Sequence, residues 1–277
     1  MATKKAASTA KSSTKKADSS KQSTKLTTVK VVESAPVLAP TSNSRSGRIG
    51  SAAIAALVSE FVGTFIFAAT VVASQGQPIL VMFALAGVVL AVGGLSGAYL
   101  NPALTIGAWV TRRLTPMRAL GYIVAQFLGA MLALVVLTAF SGNAAQHSAT
   151  DVYSNTPTLF QAAAIPSGKE WIVFMSEVLG AIIFGFAVAN ATREAKDRTT
   201  AALTVGIGLF LGLMVAGSAA SFVGGSAILN PAVAVTLQAI NLTTVWPLLV
   251  YIIGAGVGAT IGFVLFDLIR NAEPNKA

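Results

Sequence analysis

GGLSGAYLNPA at residues 93–103 and GGSAILNPA at residues 224–232 are two versions of one phrase. Each runs from a Gly/Ser-rich stretch into the same tripeptide, Asn101-Pro102-Ala103 or Asn230-Pro231-Ala232. Each tripeptide opens a short apolar segment, roughly 101–110 and 230–240, and a tyrosine stands 21 residues past each Asn, Tyr122 and Tyr251. Proline suits the first turn of a helix, where its missing N–H has no intrahelical partner, and an asparagine just before it can cap that turn. One Asn-Pro is an ordinary turn or cap. Two in register point to a repeated element that starts a short helix.

The surrounding chain says where those helices sit. Apolar residues make up 54% of the sequence, charged ones only 10%, and the mean hydropathy is +0.73. Six stretches, roughly 51–73, 79–97, 118–140, 170–191, 200–219 and 245–268, are long enough for a hydrocarbon core that takes about 20 helical residues to cross. The two segments that begin with Asn-Pro-Ala are too short, since ten helical residues rise only about 15 Å. The expected fold is therefore an all-α membrane protein with six transmembrane helices and two re-entrant half-helices. There is no cysteine, which excludes disulfide and thiol chemistry.

The repeat extends beyond the tripeptide. Ser59-Glu60 in the first span matches Ser176-Glu177 in the fourth, and Gly129 and Gly258 both stand 28 residues past their Asn. Repeat one covers about 51–140 and repeat two about 170–268. Three spans per repeat is an odd number, so the second repeat enters the membrane from the opposite side. The short helices then dip in from opposite faces, and their N-termini meet near the midplane. Two Asn amides and two positive dipole ends at one point would orient a passing hydroxyl and repel a cation. The Gly-rich stretches before them would expose carbonyl oxygens along one wall of a path.

Charge placement gives orientation. Residues 1–48 hold ten Lys/Arg and two acids, a net of +8 out of +9. Arg112, Arg113 and Arg118, then Arg193, Lys196 and Arg198, then Arg270 and Lys276 all fall on the same side as that tail; Lys169 alone does not. The positive-inside rule makes this side cytoplasmic for both termini. The tail 1–48 has too little apolar content to fold and is read as a disordered, solvated segment held near anionic lipid, with nucleic acid as the less favoured polyanion. A channel domain follows at 49–270, then a short C-terminal tail at 271–277.

Several further residues need a reading. Glu60 and Glu177 lie inside spans, where a carboxylate is costly. Their matched positions favour a structural role, accepting backbone N–H groups of the adjoining non-helical stretch, over proton relay. Gly87, Gly129, Gly180, Gly212, Gly254 and Gly258 are expected to let helices pack closely. Asp267 ends the last span and is expected to be solvated. His147 stands alone in an outer loop, so no metal site is expected, and no cofactor. No nucleophile–base set or phosphate loop appears, which argues against an enzyme.

SEFVGTF near the start, SGAYLNPALTIG in the first half and GGSAILNPAVAVTL in the second carry a resemblance over about residues 51–270. They resemble the aquaporin and glycerol-facilitator family of major intrinsic proteins. That resemblance implies passive flow of water or small neutral solutes through a pore in each subunit of a homotetramer, with Asn101, Pro102, Ala103, Asn230, Pro231 and Ala232 as the midplane filter. Two positions depart from the family pattern. Tyr99 stands where a His is usual, beside the pore loop that Glu60 and Glu177 would support. Val233 stands where the second motif has Arg at the outer constriction. The other constriction positions fall on Val81, on Gly217 or Ser218, and on Ala227. A wider, less polar, uncharged constriction is implied, with relaxed selectivity. Two alternatives stay open: a non-conducting scaffold or adhesion protein of the same fold, and a proton-coupled transporter using Glu60 or Glu177.

Overall fold

The computed structural model of the chain describes residues 50–147, 159–241 and 244–272, with the backbone alone for 142–147. The basic tail 1–48, the side chain of His147 and residues 273–277 lie outside these. Six elements among the described residues are long and apolar enough to cross a membrane. They are α1 (Ser51–Ala73), α2 (Pro78–Ser96), α4 (Pro116–His147), α5 (Glu170–Glu194), α6 (Arg198–Ser221) and a composite sixth. The sixth joins a short α8 (Trp246–Leu248), a π-helical turn (Leu249–Gly254) and α9 (Ala255–Asn271). Between spans lie the two short helices, α3 (Pro102–Val110) and α7 (Pro231–Thr236). No strand occurs among the described residues.

Two boundaries differ from the sequence expectation. The helix α4 runs on to His147, so that residue's backbone is helical rather than part of a loop. The helix α7 has 6 residues against the 9 of α3, and stops short of residue 240. Both half-helices end in the same way. Arg112 and Gln238 turn left-handed (φ 61° and 55°), and the next N–H, of Arg113 or Ala239, reaches back to the Ala108 or Ala234 carbonyl. This is a Schellman ending, usually built on glycine. Here it uses Arg and Gln, which carry no turn signal in the sequence.

Small residues set the packing. With no water to expel between helices in a membrane, close approach of backbones supplies the contact energy. Gly129 on α4 lies against the Phe61 backbone of α1, and Gly258 on α9 lies against the Val178 backbone of α5, the matching place in each repeat. Gly180 and Gly212 face each other across α5 and α6, and Gly254 meets Phe174. Gly87 does not fit the expectation: nothing within 4 Å would meet a Cβ there, so it faces outward from the subunit. Each half packs its first helix on its second and its last, and the halves meet along α2 and α6.

The half-helices cross over. The first-half helix α3 packs on α9, with Gly107 against Phe263 and Ala259. The second-half helix α7 packs on α4, where Thr236 Oγ1 donates to the Ala130 carbonyl at 2.9 Å. Each short helix is thus held by the long helix of the other repeat.

Asp267 keeps part of the expected exposure, with 29% of its side chain open, but it is also ion-paired. It accepts from Arg113 Nη2 at 2.6 Å, and the Arg113 side chain, only 6% exposed, also donates to Thr192 Oγ1 and the Ala189 carbonyl. The turn after α3 is thereby tied to α5 and α9. Asp197 caps α6 through the Thr200 N–H and hydroxyl, which hold its carboxyl below the usual carboxylate range.

Candidate functional site

The two Asn-Pro-Ala starts form one structure. Pro102 and Pro231 each occupy a first helical turn. Asn101 Oδ1 accepts the Ala103 N–H at 2.8 Å, and Asn230 Oδ1 accepts the Ala232 N–H at 3.0 Å. The remaining end of each amide crosses to the other repeat. Asn101 Nδ2 donates to the Leu229 carbonyl at 2.8 Å, and Asn230 Nδ2 donates to the Leu100 carbonyl at 3.0 Å. The N-termini of α3 and α7 therefore meet, joined by a reciprocal pair of bonds. An amide NH2 carries two hydrogens. One of each is spent on this link.

The link requires an unusual backbone. Leu100 and Leu229 have φ of 51° and 60°, the left-handed region that costs a residue with a Cβ about 1–2 kcal/mol. That turn points each leucine carbonyl at the opposite Asn. The buried carboxylates hold it in place. Glu60 accepts the N–H groups of Tyr99 and Leu100 at 3.0 and 2.8 Å, and Glu177 accepts those of Ile228 and Leu229 at 2.5 and 2.9 Å. Both carboxylates are fully buried, as an acceptor in a membrane must be if it is to find all its partners inside the protein.

The halves differ in how far this support goes. Gln126 Nε2 adds a third bond to Glu60 at 2.7 Å and is itself linked to Thr105. The residue at the matching distance past Tyr251 is Ala255, so Glu177 lacks that donor. Tyr122 Oη donates to the Ser96 carbonyl at 2.8 Å, whereas Tyr251 Oη reaches the Ser226 carbonyl only at 3.4 Å. Tyr99 is buried, with its ring 6.3 Å from that of Tyr122.

A cavity of about 210 Å³ opens against this junction. Asn101 and Asn230 both reach its wall, as do Tyr99, Leu100 and the stretch from Gly225 to Ile228. Of the proposed constriction residues, Val81, Gly217, Ala227 and Val233 line it; Ser218 does not. Among the described residues no charged side chain reaches the wall, and the polar side chains there are Tyr99, Asn101, Ser226 and Asn230. The rest of the lining is aliphatic or aromatic. Such a space gives a small molecule hydrogen-bonding groups on one side and apolar contact on the other, while a bare ion would lose its hydration without a counter-charge.

Sequence reasoning missed four contributors. Leu100 and Leu229 precede both Asn-Pro-Ala copies and could have been found as part of the repeated phrase. Gln126 has no counterpart to mark it. Phe160, from the segment before span four, also lines the cavity and sits in no pattern.

Comparison with known proteins agrees with this architecture. Residues 51–266 match the family model for the major intrinsic protein. The chain is similar to the glycerol uptake facilitator protein-like 6 of Lactiplantibacillus plantarum, with 32% identity over 217 residues, covering 74% of this chain and 93% of that protein. It is also similar to the aquaporin NIP1-1 of Zea mays, 32% identical over 186 residues, covering 66% of this chain and 58% of that one. The solved aquaglyceroporin from Plasmodium falciparum shares the fold, with a TM-score of 0.56 at 17% identity, covering 79% of this chain and 96% of that one. The chain is an integral membrane protein that belongs to the major intrinsic protein family, whose aquaporins and glycerol facilitators are channels and not enzymes.

Proposed function

We propose that the cavity is the outer part of a passive path for water and small uncharged solutes, with selectivity relaxed towards glycerol-like molecules. The observation that carries this reading is the wall formed by Val81, Gly217, Ala227 and Val233, which holds no charge and no side-chain hydrogen-bond donor. Small and aliphatic groups there leave room for a carbon skeleton. The backbone carbonyls of the pore loops serve its hydroxyls. The similarity to a glycerol uptake facilitator-like protein of Lactiplantibacillus plantarum supports the same class of solute. At the junction, the second hydrogen of each Asn amide orients the oxygen of a passing molecule, and the two helix N-termini oppose cations.

The same reading assigns the protein to homotetramers with both termini cytoplasmic, because all basic residues outside the tail except Lys169 fall on the tail's side. The Lys-rich tail is assigned to anionic lipid.

Arginine at position 233 tests the constriction. Val233→Arg places a charged, hydrogen-bonding group in the apolar wall. Glycerol entry into proteoliposomes is expected to fall about tenfold or more while water permeation is retained, since a mis-sized group in a fitted site typically costs that much. An unchanged ratio of glycerol to water flux would show that position 233 is not at the constriction.

A further inference from the structure

We infer that Phe160 is a specificity-determining residue: its ring forms one wall of the outer mouth and sets the largest solute width admitted. The inference rests on the proposed reading of the cavity as a path.

Four observations bear on it. Phe160 and Ala162 both line the cavity, although they belong to the connection before span four rather than to any span or half-helix. The connection is fastened at both sides of the second pore loop. The Ala162 N–H donates to the Leu237 carbonyl at 3.0 Å, at the end of α7, and the Ala163 N–H donates to Ser226 Oγ at 2.9 Å. The segment is thus a strap tied across the mouth on two anchors, and Leu159 and Ile165 pack its flanks against the core.

The ring's own seat is specific. Gly76, between α1 and α2, turns left-handed (φ 65°), and a Cβ there would lie 2.8 Å from the edge of the Phe160 ring. Position 76 is therefore open on the side where the ring rests. Val81, Gly217, Ala227 and Val233, which line the same cavity, are aliphatic or lack a side chain. Phe160 supplies the aromatic bulk that none of them provides. A ring held by backbone bonds on its own segment keeps a fixed position, so it limits width rather than yielding to a wider solute.

The test compares purified, reconstituted wild type with Phe160→Ala and Phe160→Leu, reading swelling in water, glycerol and the branched polyol pentaerythritol. Phe160→Ala is expected to raise pentaerythritol entry relative to glycerol about tenfold, the scale on which a fitted site discriminates by size. Phe160→Leu should fall between. If Phe160→Ala passes no solute, Phe160→Leu is read in its place, because it keeps an apolar side chain under the strap. An unchanged pentaerythritol-to-glycerol ratio overturns the inference. Loss of all flux in both variants overturns it too, since the ring would then be an anchor of the fold. Absence of glycerol entry in the wild type would instead refute the path itself.

Discussion

Glu60→Ala is expected to unfold much of the first pore loop and abolish solute flux. The carboxylate takes bonds from the Tyr99 and Leu100 N–H groups and from Gln126 Nε2. Alanine leaves the Tyr99 and Leu100 N–H groups without an acceptor and Gln126 Nε2 with Thr105 alone, at about 1–3 kcal/mol per lost bond, so a loss on the order of 5 kcal/mol follows. The left-handed turn at Leu100 then lacks its restraint and relaxes. Its carbonyl leaves Asn230 Nδ2, so the damage crosses into the second repeat. The melting midpoint of the detergent-solubilised protein should drop by roughly 10 °C or more on this scale. Glu60→Gln separates structure from proton coupling. Its amide oxygen still accepts, so partial stability and measurable glycerol flux are expected. Full stability with no flux would mean that the carboxylate's proton is needed.

Gly258→Val is expected to prevent the second repeat from closing. A Cβ at 258 would run into the Val178 carbonyl oxygen and lie 2.8 Å from the Ala181 Cβ. Neither can yield, because Gly185 and Gly262 hold the same two helices together, and both lie directly against partner backbone. Overpacking by one methylene already costs about 1–3 kcal/mol, and valine adds three carbons against backbone. Little monodisperse protein should be recovered by size-exclusion chromatography after extraction. A Cβ at position 87 meets nothing within 4 Å, so Gly87→Val should leave the subunit's own helix packing intact.

These two variants also show what the sequence could reveal. Glu60, Glu177, Gly129 and Gly258 were legible because the chain states them twice at matched spacing, and a repeat turns a single ambiguous residue into a pattern. The start of α3 was legible because Asn and Pro act locally, through a cap and a missing N–H. The end of α7 was not. A left-handed Gln238 closes it, and glutamine carries no such signal. The ion pair of Asp267 was hidden for a different reason. Its partner Arg113 is 154 residues away, and only the crossing of α3 onto α9 brings them together. The choice between Gly217 and Ser218 depended on helical rotation, which spacing alone leaves uncertain by a residue. Phe160 lies in a connection whose course is set by two bonds to the pore loop and α7.

Stopped-flow light scattering of proteoliposomes facing an inward glycerol gradient tests the central claim most directly. Two half-helix starts joined by reciprocal Asn bonds, beside a largely apolar cavity, predict glycerol entry clearly faster than in protein-free liposomes, without saturation and without dependence on a proton gradient. Entry at the protein-free rate, from correctly assembled protein, would contradict it.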